Sequence, residues 1–315
     1  MSKYIKDVLM IILAFIGCSL VIVLLLLAGL TNQYETNYVS AMRDKLDRLD
    51  SISGKKIVLV GDSNLVFGMN SEKLEEASGY SVVNMGLHGG LGNDLQMKLA
   101  FSNVQEGDIY VVSFTNYNQD YYIYQKDLTM LMLAKNWDMW KLLSFRQLLE
   151  IIPAIPDYLF NSYSLMISGR GNQELEACYL DYARSSFNPY GDMGIRIEEN
   201  DFFDFANYSS CVSGISDRMI DELKFWNEYC GARGAKVVIA GYPIAKTGSC
   251  SSEEDFSAFG YTIEKCSGCQ CVSDFKDYIF PLDLFYDTQF HLTTEGADYR
   301  TSLLINDLKA IEVVD

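Results

Sequence analysis

Residues 57–71 read IVLVGDSNLVFGMNS. Four consecutive apolar residues, Ile57 to Val60, run straight into Gly61-Asp62-Ser63-Asn64. An apolar run of this length, closed by turn formers, reads as a strand buried on both faces. The tetrapeptide itself admits two readings. Gly, Asp, Ser and Asn each favour a strand-to-helix turn for local reasons. Alternatively, Ser63 is a nucleophile displayed at the carboxyl end of the first strand of an α/β sheet. The choice rests on partners elsewhere in the chain.

Outward from that stretch, a rhythm repeats. Ser71 to Ala77 reads as a short helix with Ser71 as N-cap. Ser81 to Asn84 is a second strand, followed by the glycine-rich turn Met85-Gly86-Leu87-His88-Gly89-Gly90. Residues 93–104 read as a helix and Asp108 to Phe114 as a third buried strand. Strand, helix, strand, helix, strand predicts a parallel sheet with crossover helices. Residues 117–210 lose the rhythm and are rich in Tyr, Phe, Trp and Met, which predicts a mainly helical insertion over the sheet. The pattern then resumes. Ile215, Met219, Leu223, Trp226 and Cys230 make one helix face, and 235–243 is a strand closed by a proline turn. Residues 247–279 read as a second, cysteine-rich insertion. The final helix runs from Thr294 to Ile311 and buries Ala297, Leu304, Leu308 and Ile311.

The N-terminus carries a different signal. Val8 to Leu30 is 23 residues without a charge, enough for a transmembrane helix at roughly 20 residues per hydrocarbon core. A cleaved signal has a shorter apolar region of about 7 to 15 residues. Lys3 and Lys6 precede the run and Arg43 is the first basic residue after it, so the positive-inside rule places the N-terminus in the cytoplasm and the rest outside the cell membrane. The organisation expected is an anchor over 1–30, a juxtamembrane stalk over 31–54 and an ectodomain over 55–315. The chain of 315 residues is 49% hydrophobic with five prolines and a formal charge of −17. That composition supplies a packed core and excludes nucleic acid, which needs clustered Lys and Arg.

Of eight cysteines, Cys18 lies in the apolar run and Cys178, Cys211, Cys230, Cys250, Cys266, Cys269 and Cys271 follow in the second half. Cys266-Ser-Gly-Cys269 is a zinc half-site spacing. Disulfides in an oxidising compartment are the competing and preferred reading, with one thiol of an odd seven left over.

A serine hydroxyl needs a base to become a nucleophile, usually His. The chain has two histidines. His88 sits in the glycine-rich turn and reads as a loop residue near the site. His291 stands four residues after Asp287, just before the last helix, and an aspartate there can orient the ring. No Gly-x-Ser-x-Gly elbow and no phosphate-binding Gly-Lys-Ser/Thr loop is present.

Taken in order, these blocks resemble the SGNH (GDSL-type) hydrolase superfamily. Gly61-Asp62-Ser63 resembles its first block, Asn84 to Gly90 its second, Thr115-Asn116 its third and Asp287 to His291 its last. The resemblance implies a flavodoxin-like parallel sheet with helices on both faces. It implies Ser63, His291 and Asp287 as the catalytic set, and Ser63, Gly86 and Asn116 as oxyanion donors. Asp62, Asn64, Asn84 and His88 are expected near the substrate, and no metal or cofactor is required. The interval from Asp287 to His291 is four residues where the family has three, leaving Asp283 as a distant substitute. The third block lacks a Gly-x-Asn-Asp, so Asn118 competes with Asn116. With its anchor the chain is similar to cell-envelope members that act in alginate or polysaccharide O-acetylation and teichoic-acid D-alanylation. The implied partners are an acylated cell-surface glycan and a membrane acyl-donating protein, with the membrane itself held through one helix. Two functions stay open: a serine esterase or O-acyltransferase, and a catalytically silent module that binds a glycan or scaffolds an envelope assembly complex.

Overall fold

The computed structural model describes residues 3–170, 183–194, 204–247 and 251–311. After the N-terminal helix α1 (Lys3–Gly29) come α2 (Met42–Ser51) and β1 (Lys56–Gly61). The next elements are α3 (Ser63–Gly68), α4 (Ser71–Ser78), β2 (Ser81–Asn84), α5 (Asn93–Ala100) and β3 (Ile109–Ser113). Four helices follow: α6 (Lys126–Leu133), α7 (Trp137–Leu142), α8 (Phe145–Ile151) and α9 (Ile155–Ser168). The chain then runs through α10 (Asp217–Gly231), β4 (Lys236–Ile239), β5 (Ile244–Ala245) and α11 (Glu253–Ser267). It closes with β6 (Gln270–Cys271), β7 (Ile279–Phe280) and α12 (Thr294–Ala310).

Five strands form one parallel sheet in the order β2-β1-β3-β4-β6. Alternation along β1 and β3 divides the core. Val58, Val60, Tyr110 and Val112 face α2, α5 and α10, whereas Ile57, Leu59, Ile109 and Val111 face α4 and α12. Successive side chains of a strand point to opposite faces, so both faces must be apolar when helices cover both. The predicted face of α10 is buried from Met219 to Cys230, and that of α12 at Ala297, Leu304 and Leu308.

Three expectations change. Ser71 does not cap α4. Asn70 Oδ1 accepts the Lys73 N–H (3.1 Å), which leaves the Ser71 hydroxyl to bond Asp192 Oδ1 (2.7 Å). Residues 247–279 are not a plain insertion, because β4, α11 and β6 form a crossover unit whose last strand pairs Val238 with Gln270 and Ile239 with Cys271. Residues 31–54 are not a free stalk. Tyr38, Val39, Met42 and Leu49 are buried in the main core. Lys45 reaches across to donate to the C=O groups of Asn84 (2.9 Å) and Gly191.

The helix α1 is long and apolar enough to cross a membrane and, at 1.5 Å per residue, measures about 40 Å.

Candidate active site

The carboxyl ends of β1, β2 and β3 meet where the strand order reverses direction, the place where open α/β sheets leave a crevice. At the end of β1 a Cβ on Gly61 would stand 2.1 Å from the Ser113 C=O, so only glycine lets β1 and β3 approach this closely. Asp62 follows in extended conformation and caps α3, its Oδ1 accepting the Asn64 N–H (3.0 Å). Its other oxygen accepts the Thr115 N–H (3.0 Å) and Oγ1–H (2.7 Å). Asn64 Nδ2 donates to Asp62 Oδ1 (2.6 Å) and to the Ser113 C=O (2.9 Å). These bonds fasten the turn to β3 and hold Ser63 as the first residue of α3.

The loop before α12 arrives from the opposite side. Phe285 and Leu292 bridge antiparallel, and the Tyr286 N–H donates to the His291 C=O (2.8 Å). Between them Thr288 Oγ1 accepts the N–H groups of Phe290 (3.2 Å) and His291 (3.1 Å). This hydroxyl-centred turn folds Asp287 back onto His291. Asp287 Oδ1 lies 2.7 Å from His291 Nδ1, and His291 Nε2 lies 2.8 Å from Ser63 Oγ. A carboxylate at Nδ1 keeps the proton there and leaves Nε2 as acceptor for the serine hydroxyl. Phe67 stacks on the imidazole with centroids 4.0 Å apart and planes at 13°. Phe67 is four residues beyond Ser63, on the same side of α3, so one short helix positions both the hydroxyl and the imidazole it hydrogen-bonds.

A cavity of about 270 Å³ opens at this point. Ser63, His291, Phe67 and His88 line one side; Asn37, Tyr38 and Val39 together with Gln125, Leu128 and Leu131 line the other. The second wall comes from the segment after α1 and from α6. Tyr38 donates its hydroxyl to the Leu87 C=O (2.6 Å). Burial, reinforced by the nearby carboxylates of Asp62 and Asp287, pushes that hydroxyl well above the usual tyrosine range, so it remains a donor. His88 Nδ1 accepts the Gly90 N–H (2.9 Å). Burial, and secondarily His291, lowers the His88 pKa from its ordinary value. The neutral ring therefore carries its proton on Nε2.

The expected oxyanion donors are in unequal positions. The Ser63 N–H heads α3 with no acceptor among the described residues, as first-turn N–H groups do. The Gly86 N–H lies close, since a Cβ there would stand 2.7 Å from the Asp62 C=O, but it donates to Asn84 Oδ1 (3.0 Å). Asn116 is exposed and outside the cavity lining; its Oδ1 accepts the Asn118 N–H (2.8 Å). Of the residues expected near substrate, only His88 lines the cavity. Asp62, Asn64 and Asn84 are buried, and their polar atoms hold strand ends together. Asn84 Nδ2, for instance, donates to the Leu65 C=O (2.9 Å) and to Asp192 (2.8 Å). Asp287, not Asp283, is the carboxylate at His291 Nδ1. Phe67 and Tyr38 line the cavity without being expected from the sequence. Phe67 was findable as the residue one turn beyond Ser63, and Tyr38 from the spacing Tyr38, Met42, Leu46, Leu49, an amphipathic face within a charged stretch.

The cysteine expectation changes as well. Cys230, Cys266, Cys269 and Cys271 are free thiols, Cys211 is disulfide-bonded, and Cys178 and Cys250 lie outside the described residues. Cys269 Sγ is directed at the Leu223 C=O and Cys271 Sγ at that of Ser273. Among the described residues no three His, Cys, Asp or Glu side chains are grouped to hold a metal ion. Compared with protein-family models and with curated proteins, the chain matches none of them.

Proposed function

We propose that the chain is a membrane-anchored, extracytoplasmic serine esterase or O-acyltransferase of the SGNH type, acting on acyl esters, acetyl first among them, of a cell-envelope polysaccharide. One observation carries the reading: a hydroxyl, an imidazole and a carboxylate stand in line at 2.8 and 2.7 Å, beside an open cavity. The strand order supports it, because this is the flavodoxin-like order with the nucleophile at its switch point.

In the reaction, His291 Nε2 takes the proton of Ser63 while Oγ attacks the ester carbonyl. The new C–O bond pushes charge onto the carbonyl oxygen, toward the Ser63 N–H. An adjacent donor is typically worth about 3 kcal/mol in such a transition state. Gly86 supplies one if its bond to Asn84 opens. Protonated His291 then gives its proton to the departing alcohol, leaving an acyl-serine. Water or a sugar hydroxyl, deprotonated by the same imidazole, releases the acyl group. The apolar wall of Val39, Leu128 and Leu131 suits the acyl portion. The volume sits at the low end for ligand sites and admits a pendant ester with part of a sugar ring.

The occupied Gly86 N–H favours a second reading, a silent module that binds the same glycan or scaffolds an assembly complex. The test is intact mass of the full chain after a fluorophosphonate probe, beside Ser63→Ala and His291→Ala. The expected result is a single adduct on the wild type and none on either variant. No adduct on folded wild-type protein selects the silent module.

A further inference from the structure

We propose that the exposed apolar faces of α8 and α9 seat in the outer acyl-chain boundary of the same bilayer that α1 enters, so that the helical insertion is a membrane-resting element. This rests on the reading of α1 as an anchor.

Two consecutive short helices each present an apolar stripe to solvent. In and after α8, Phe145 is 76% exposed, Leu149 52% and Ile152 53%; in α9, Phe160 is 72% exposed, Tyr163 54% and Ile167 67%. The spacings are four and three, then three and four, one side of a helix each. Their opposite sides are buried, at Gln147 and Ile151 in α8 and at Tyr158 and Ser162 in α9. Single exposed apolar side chains are ordinary, but a run of six large ones marks an interaction surface.

The occupant follows from where α1 joins the domain. The Tyr34 ring, just past α1, lies 5.7 Å from the Tyr158 ring of α9. Lys135, just after α6, donates to the Ala28 C=O (2.5 Å), and Asn32 Nδ2 to the Ala134 C=O (3.4 Å). The shielded side of α1 is Ser19, Val23, Leu27 and Leu30, and both Val23 and Leu27 pack with the main core of the domain. Val23 lies seven residues inside the apolar run, about 10 Å at 1.5 Å per residue. A bilayer placed around that run therefore meets the folded domain below its own surface, at the roughly 5–10 Å depth of interfacial helices. The net charge of −17 gives an anionic headgroup layer no electrostatic hold, so the contact is apolar.

The experiment uses the full chain in vesicles of phosphatidylglycerol and phosphatidylcholine, with benzoylphenylalanine replacing Phe160, Leu20 or Tyr299 in turn. Tyr299 lies on α12, which packs on the other side of the sheet, and is exposed. After irradiation, intact mass is expected to show lipid adducts at 160 and 20 and none at 299. An adduct at 20 without one at 160 overturns the membrane seating and leaves the anchor standing. A cross-link between two copies at 160 in place of lipid makes the face a self-association surface and also overturns it. No lipid adduct at 20 removes the anchor, and the proposal with it.

Discussion

At the scale of single residues, the site turns on which nitrogen of His291 holds a proton. Asp287→Asn keeps size and shape but presents an N–H to Nδ1, which moves the ring proton to Nε2 and leaves Ser63 without a base. On the esterase reading, turnover of an activated acetyl ester is expected to fall about 10³- to 10⁴-fold, with the thermal midpoint nearly unchanged. A comparable rate in the variant would remove Asp287 from the mechanism. The grouping of Ser63, Asp287 and His291 was legible because the chain has only two histidines and each of the three residues stands at a strand end or before a helix. Orientation was not readable. Asp62 and Asn64 flank Ser63 in sequence and Asn84 ends the neighbouring strand, but strand ends that approach as closely as Gly61 and Ser113 leave backbone groups in need of partners, and these side chains supply them.

At the scale of elements, the strands that could be read were the long apolar ones. β1 and β3 are buried on both faces and announce it in their composition. β6 is two residues, Gln270 and Cys271, too short for any periodicity, and it joins the sheet only because β4 offers an unpaired edge. A second feature hidden from the sequence lies at the base of β1. Lys56 Nζ and Asp108 Oδ2 are 2.7 Å apart with both side chains fully buried. Removing one partner strands a buried charge, so Asp108→Ala is expected to cost about 3–5 kcal/mol in chemical denaturation. A loss below 1 kcal/mol would mean that the pair is not desolvated as its burial implies. At the other end of the sheet Arg300 of α12 donates to the Asn64 C=O (2.8 Å), Ser113 Oγ (2.9 Å) and the Gly241 C=O (3.1 Å). The last helix is thereby bound to the turn that carries Ser63.

For the whole molecule, the segment after α1 decides more than its composition suggests. Its alternating charges read as a spacer, yet Lys45 is buried against β2 and the 183–194 loop, with Phe187 stacked on its ammonium at 4.7 Å. Burial lowers the Lys45 pKa from the ordinary 10.5 to about 7, against the smaller pull of Asp192 and Asp44. Between those values the unfolded chain holds a proton that the folded one has released. Unfolding then takes up a proton, and stability rises with pH by up to about 1.4 kcal/mol per unit. Denaturation midpoints are expected to climb from pH 7 to 9 in the wild type and to lack that slope in Lys45→Met. A flat wild-type profile would show that Lys45 stays protonated in the folded state.

The wall formed by Asn37, Tyr38 and Val39 has a further consequence. Only seven residues separate the end of α1 from Asn37, and Tyr34 and Tyr38 within and beside that stretch are locked into the core. A flexible tether would let a catalytic serine sample a volume. With α1 in a bilayer, Ser63 is held at a single altitude, and the molecule becomes a height gauge. On the proposed esterase function it would select esters by their distance from the lipid surface before any feature of the sugar is read.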